Sequence, residues 1–279
     1  MKEFWKAFRR NKGAVIGLCL LLLVLAVSAT APLLAPDSPW KMVQRPFLPP
    51  LVDPHLPLGT DTLGRDVMSG ILHGARISLM VGVVATTVAL LIGIPLGAIA
   101  GYYNGIVDDV LMRIAEFFQT IPSFALALVL VAILEPSVWS IILSIGIVSW
   151  VPIARLVRAE VLSQRSREYV EAAVLAGQSD LKIILHQILP NTLSAILVIS
   201  SLTIASAILL ESALSFIGLG DPNLMSWGYM IGASRTVIRT AWWLSFFPGL
   251  AIFLTVLAFN MIGDGLNDAL NPRLNRTGR

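Results

Sequence analysis

The chain of 279 residues has little of what most catalytic chemistry requires: one cysteine, three histidines and only 13% charged residues. Cys19 sits alone inside a long apolar run, which excludes a disulfide framework. His55, His73 and His186 are too scattered along the chain to suggest a metal site, and neither His-Glu-x-x-His nor Gly-x-Ser-x-Gly occurs. No lysine follows a glycine, so a Walker-type phosphate loop is absent and the chain is not expected to hydrolyse ATP itself. The net charge of +3 is not gathered on one face, and nucleic acid is not an expected partner.

What abounds is apolar surface. Hydrophobic residues make up 56% of the chain and the mean hydropathy is +0.79, well above what a water-soluble domain shows. The expected fold class is an all-α polytopic membrane protein, because in lipid the backbone must satisfy its own hydrogen bonds and no segment alternates like a barrel strand. Runs long enough to cross about 30 Å of hydrocarbon fall at 14–35, 77–101, 112–134, 138–157, 192–215 and 243–262, giving six transmembrane helices. The expected organisation is a cytoplasmic segment 1–13, a first transmembrane helix 14–35, an external loop 36–76, a five-helix core 77–264 containing a cytoplasmic loop 158–191, and a cytoplasmic tail 265–279. A basic start, an apolar stretch from Ala14 to Val27 and the small residues 28–31 also fit a cleaved signal peptide. Continuation through Leu33-Leu34-Ala35 reaches spanning length and favours an uncleaved anchor.

Orientation is read from the cations. An N-in, C-in path puts Lys2, Arg9, Arg10, Arg113, Arg155, Arg158, Arg165, Lys182 and Arg273 inside, and leaves Lys41, Arg45, Arg65, Arg76, Arg235 and Arg239 outside. Trp40, Trp139, Trp227, Trp242 and Trp243 then fall near the outer boundary, where amphipathic rings prefer to lie. The proline-rich external segment ends in Leu58-Gly59-Thr60-Asp61-Thr62-Leu63-Gly64-Arg65-Asp66, a turn-forming string. Asp61, Arg65 and Asp66 can serve there as a cap on the second span or as contacts for an external delivery protein.

Within the spans, Ala85, Ala89, Gly93, Gly97 and Gly101 recur every fourth residue and predict a close helix-packing seam, with Pro95 as a kink beside it. Arg113 and Glu116 are spaced for a local ion pair. Thr203, Ala207, Glu211 and Ser215 share one helix face. A carboxylate there demands water or a partner, so this face is expected to line a translocation pathway or gate. Asp264 and Asp268, with Gly263, Gly265 and Asn267, are expected to end the last helix.

One polar island interrupts the apolar pattern. Residues 168–176 are helix formers, Gly177 can adopt the left-handed conformation that ends a helix, and Ser179 can cap the next. In that second short helix Leu181, Ile184, Leu185 and Ile188 predict an apolar stripe, with Pro190 closing it or opening the next span. Ala172 and Ala173 let another backbone approach, and Arg167, Glu168 and Glu171 form a polar rim. By its residues alone the island fits either a socket for a soluble partner or an interfacial amphipathic loop.

Glu171-Ala172-Ala173, three residues, Gly177, then Leu189-Pro190 resembles the cytoplasmic loop of permease subunits of bacterial ATP-binding-cassette importers. Gln187 stands where that pattern has an aliphatic residue. The likeness extends over nearly the whole chain to the dipeptide, oligopeptide and nickel permease branch. It runs through Gly64-Arg65-Asp66-Val67, Gly74-Ala75-Arg76-Ile77-Ser78-Leu79, Asp109 with Met112-Arg113, and Ala154-Arg155-Leu156-Val157-Arg158. It continues through Leu214-Ser215-Phe216-Ile217-Gly218-Leu219-Gly220, Ser226-Trp227-Gly228 and Asp268-Ala269-Leu270-Asn271-Pro272, where Asn271 replaces an acidic residue.

The resemblance implies a non-catalytic permease of the bacterial inner membrane, paired with a second homologous permease. Two cytoplasmic ATPases would bind ATP and Mg and grip a coupling helix, and an extracytoplasmic binding protein would deliver the substrate. This chain would bind no cofactor of its own. Glu171, Ala172, Ala173 and Gly177 would couple to the ATPase, with Glu168 and Asp180 beside them. Peptides are the first expected substrate, with nickel or another chelated solute as the alternative. A stand-alone secondary transporter is the rival class, disfavoured because no internal repeat is visible.

Overall fold

The computed structural model describes residues 2–270. Met1 lies outside them, as do Asn271, Pro272 and the cations Arg273, Arg276 and Arg279. No β-strand occurs among the described residues, only the isolated bridges Met42–Arg65, Asp53–Leu56 and Thr60–Asp66.

Five helical runs are long and apolar enough to cross a membrane. They are α2 (Lys12–Leu34), α3 (Val67–Tyr103), α6 (Val138–Arg165), the run Asp180–Leu219 that contains α9 (Leu189–Leu214), and α11 (Trp243–Leu270). The sixth expected span, 112–134, is not one straight helix. It is the pair α4 (Gly105–Thr120) and α5 (Ser123–Leu134), bent by 85°. Pro122 explains the break: it has no amide hydrogen to continue α4, and it holds Ile121 in extended backbone at φ −94° and ψ 127°. The short helices are α1 (Lys2–Arg10), α7 (Glu168–Leu175), α8 (Asp180–Ile183) and α10 (Trp227–Ser234).

The spine of the fold is α3, about 55 Å long at the rise of an α-helix and thus longer than a bilayer core is thick. It starts at Val67 rather than near residue 77 because the Asp66 carboxylate caps it, accepting the amides of Met68 and Ser69 at 3.0 and 3.1 Å. It continues through Pro95 to Tyr103. The small-residue seam faces α6 within the same chain. A methyl on Gly93 would meet Ile153 and the Trp150 carbonyl, one on Gly97 the Ala154 carbonyl, and one on Gly101 the Arg158 carbonyl. Without those methyls the two backbones approach closely along several turns, and dispersion contacts replace the hydrophobic drive that lipid does not supply.

The last helix corrects another expectation. It does not end within the stretch from Gly263 to Asp268 but runs to Leu270, because both glycines are packing sites: a methyl on Gly263 would strike Ser201 and one on Gly265 would strike Ala14 and Phe8. Asn11, which caps α2, also donates to Asp268 at 2.8 Å, fastening the start of the chain to the end of α11. The expected Arg113–Glu116 pair does not form; both side chains are exposed, and α4 is held instead by Asp108, which is buried and bound in a fork by the Arg158 guanidinium on α6. Trp227 and Trp243 are not boundary anchors. Both are buried, donating their indole N–H groups to Ile71 and Thr60 carbonyls at 3.0 and 3.3 Å.

Candidate functional site

At the end of α6 the chain makes an elbow: α7, a sharp turn, α8, and then a π-helical turn over Ile184–Ile188 that runs directly into α9. The turn is a complete Schellman motif. Gly177 has φ +73°, its amide bonds the Val174 carbonyl at 2.9 Å, and the Gln178 amide bonds the Ala173 carbonyl at 3.2 Å. Ser179 takes the N-cap position of α8, but its side chain makes no capping bond. Pro190 sits in the first turn of α9, where a missing amide hydrogen is harmless.

The expected apolar stripe of the second short helix is re-phased. Ile183, Ile184 and Ile188 are buried, whereas Leu181 and Leu185 are exposed at 67% and 48%. The wider i to i+5 winding of the π turn puts Ile183 and Ile188 on one face, which an α-helical reading of the sequence cannot anticipate. These isoleucines join Val170 and Ala173 against Tyr102, Ile153, Val157 and Val161 of α3 and α6. The Tyr102 hydroxyl donates to Asp180 at 2.8 Å, a cross-brace that sequence reading missed.

Of the residues expected to meet an ATPase, Glu168, Glu171, Ala172, Gly177 and Asp180 are exposed on the elbow, while Ala173 packs inward and supports the others from beneath. Beside them Val174 and Leu175 project into solvent at 54% and 88% exposure. They line an open depression of about 680 Å³ with Tyr103, Arg165, Glu171 and Asp180. Exposed leucine and valine beside a charged rim are the composition of a protein-binding surface.

A second feature is a groove along α9 facing α5 and α6, lined by Ser123, Phe124, Ser149, Pro152, Leu202, Thr203, Ser206 and Leu209. The face expected to form the pathway divides between this groove and the interior of the subunit. Thr203 borders the groove, but Ala207, Glu211 and Ser215 are buried inside the subunit. The physical reason is that a carboxylate in a membrane protein is least costly when hydroxyl donors inside the subunit turn toward it. Glu211 accepts hydrogen bonds from Ser215 and Ser226, both at 2.8 Å, with Ser212 at 3.4 Å. Ser226 in turn caps α10 by accepting the Tyr229 amide at 3.0 Å. The carboxylate thus ties α9 to α10, and Gly228 permits the approach because a methyl there would meet Ser212, Ser215 and Glu211 itself.

At the start of α3, Asp61 and Asp66 accept backbone amides, while Arg65 stacks on a ring with its Nε buried and without a hydrogen-bond partner among the described residues. Asp61 accepts the Leu63 and Arg65 amides, both at 2.8 Å; Arg65 lies 4.7 Å over the Trp40 ring; Asp66 caps α3. Burial pushes the Asp66 carboxyl above its ordinary value, against the opposite pull of its two amide donors. Gly64 has φ +77°, and a methyl there would lie 2.0 Å from the Gln44 carbonyl. Thr60 closes the loop, accepting from the Leu48 amide at 2.9 Å and donating to the Arg45 carbonyl at 2.7 Å. His55 is exposed, His73 bonds the Ala35 carbonyl at 2.9 Å, and no group of metal-ligating side chains forms among the described residues.

The fold has a counterpart among solved structures. It matches a chain of the MetNI methionine ABC transporter in inward-facing conformations, with a TM-score of 0.62 at 16% identity over 74% of this chain and 98% of that one. Residues 93–276 match the model of the binding-protein-dependent transport system inner membrane component, and residues 1–50 match the N-terminal transmembrane domain of oligopeptide transport permease C. The chain belongs to the binding-protein-dependent transport system inner membrane component family and is a multi-pass inner-membrane protein. It is 40% identical to the di/tripeptide transport system permease protein DppC of Pseudomonas aeruginosa, over 98% of this chain and 92% of that protein. Against the Escherichia coli K12 dipeptide transport system permease protein DppC the identity is 43%, over 98% and 93%. Against the glutathione transport system permease protein GsiD of Pectobacterium atrosepticum it is 39%, over 98% and 91%.

Proposed function

We propose that this chain is one of two permease subunits of an ATP-binding-cassette importer for di- or oligopeptides. An extracytoplasmic binding protein delivers the substrate, and two partner ATPases, which bind the ATP and Mg, drive the cycle. The observation that carries this reading is identity of 40% or more, over nearly the whole chain, to permeases named for dipeptide transport. The cation distribution supports an N-in, C-in path, with the elbow in the cytoplasm and the 35–66 loop outside.

In this reading Glu168, Glu171, Ala172 and Gly177, with Val174 and Leu175, meet an ATPase. Closure of the ATPases pushes on the elbow. Because Val170, Ala173, Ile183, Ile184 and Ile188 are packed on α3 and α6, the push passes to the spans as a rigid displacement. The α5–α6–α9 groove, closed by the second permease, forms the pathway. Co-expression with candidate partner ATPases and a second permease, purification in mild detergent and dipeptide uptake in proteoliposomes test this. Glu171→Lys and Gly177→Leu should abolish ATP-driven uptake while the chain still inserts. Uptake that persists without ATPases or ATP would move the protein to the stand-alone transporters.

A further inference from the structure

A third open space lies nearer the elbow than the groove along α5, α6 and α9, and it adjoins that groove through Ile199 and Leu202, which border both. It lies between α6, α9 and α11, holds about 490 Å³, and has an apolar wall of Leu156, Ala195, Val198, Ile199, Leu202 and Leu270. Its polar lining is Glu160, Ser194 and Asn267. That volume falls within the range of about 300–1,000 Å³ typical of small-molecule sites.

The chemistry of the three polar groups is specific. Glu160 makes no ion pair and no side-chain hydrogen bond among the described residues, and neither Ser194 nor Asn267 makes a side-chain hydrogen bond there. Arg158, two residues away on the same helix, faces another side and is bound in a fork by Asp108. Arg155 lies more than a turn away and does not border the space. A carboxylate, a hydroxyl and a carboxamide lining one partly apolar space offer a negative charge that is unpaired among the described residues, with a hydroxyl and an amide oxygen able to accept beside it. An alkylammonium has three donors, one positive charge and no acceptor.

We infer that Glu160, with Ser194 and Asn267, forms a transit subsite for the primary ammonium group of the substrate, at the inner end of the pathway. This rests on the peptide-importer reading above. A peptide released from its binding protein loses the partners of its charged amino end, and in a groove walled by leucine and valine an unpaired ammonium is costly. One carboxylate on the route lowers that barrier at the point where the substrate leaves toward the cytoplasm. The groups are exposed enough to release it again, which a transport site requires.

The test uses the assembled complex of both permeases, ATPases and binding protein in proteoliposomes, with radiolabelled dialanine as probe. Glu160→Gln should lower the initial uptake rate about five-fold, the factor that corresponds to about 1 kcal/mol. Glu160→Asp should restore most of it. Binding-protein-stimulated ATP hydrolysis and the yield of assembled complex should not change. Uptake by Glu160→Gln at the wild-type rate overturns the subsite. So does loss of the second permease on purification of that variant, which would make the carboxylate an intersubunit contact.

A second arm does not depend on transport. Saturation-transfer NMR of dialanine on the purified complex without binding protein should show transfer strongest near the amino end, lost in Glu160→Gln. Absence of transfer in the wild type overturns the subsite even where uptake holds. Failure of uptake with this transfer retained overturns the importer reading and leaves an ammonium-binding site at Glu160 with no transit role.

Discussion

Replacing Gly97 by alanine is the most direct probe of what holds the bundle together. A methyl built there lies 2.4 Å from the Ala154 carbonyl oxygen, 2.9 Å from Val157 Cβ and 3.0 Å from Ala154 Cα. Ordinary contact begins at 3.4 Å, so the deficit against the oxygen is 3.4 − 2.4, or 1.0 Å. Two of the three obstacles are backbone atoms inside α6 and cannot rotate away. The helices must therefore separate by a large part of that distance, loosening the contacts at Gly93 and Gly101 as well.

Overpacking of this kind costs about 1–3 kcal/mol, and the shared seam places Gly97→Ala at the upper end. Gly70→Ala is the internal control. Its nearest obstacle, at 2.8 Å, is the terminal methyl of Met230, a flexible group that can move aside, and its cost should stay under about 1 kcal/mol. Thermal unfolding of the purified chain in one detergent, followed by tryptophan fluorescence, ranks the two. Gly97→Ala should melt several degrees below the parent and Gly70→Ala close to it. Equal melting temperatures would falsify the claim that α3 and α6 are held at backbone contact.

Asp108→Ala strands the Arg158 guanidinium, two-thirds buried, without its forked partner; allowing for that partial exposure, the expected loss is about 2 kcal/mol. The double variant Asp108→Ala with Arg158→Met should recover part of it in the same unfolding assay, and strictly additive losses would rule out coupling. At Gly177 a Cβ meets nothing within 4 Å, so for alanine only the positive φ is penalised. Gly177→Asn should then be milder than Gly177→Ala, itself about 1 kcal/mol, and Gly177→Leu should match alanine in the isolated chain; a much larger leucine effect there would show a contact the fold does not contain.

Asp66 carries a pH signature. Its folded pKa is raised, so the protonated form is favoured on folding. The stability it contributes is fully present below the unfolded carboxyl value and is lost as pH rises through the folded one. Asp66→Ala should accordingly cost more near pH 4 than at pH 7, by unfolding in matched buffers, and a cost that grows with pH would reverse the assignment.

Several details of the candidate site were legible because they depend on local rules. Gly177 after a run of helix formers predicts a left-handed stop whatever surrounds it, and the Schellman bonds are its direct consequence. Pro122 ending α4 follows from a missing donor, yet the spacing alone does not distinguish a break from a kink. Pro95 and Pro152 sit inside helices that continue, and only the neighbours of each proline decide. Asp108 offered one faint signal, an acid one heptad before Ala115 on the packed face of α4. Nothing in the sequence named Arg158 as its partner.

The sequence by itself determined that the chain is a helical membrane protein, roughly where it crosses, which small residues form a seam, and where a polar elbow interrupts the spans. Those properties follow from hydropathy, side-chain size and backbone stereochemistry, which act over a few turns. Tertiary structure alone decided which helix the seam meets, that the Glu211 face turns inward to its serines, and that Asp61 and Asp66 accept backbone amides of the turn and of α3. It also brought Glu160, Ser194 and Asn267 to one groove. Those outcomes depend on which distant groups come within about 3–4 Å of one another. One helix face fits a partner, a pathway or a core equally well until its neighbours are in place.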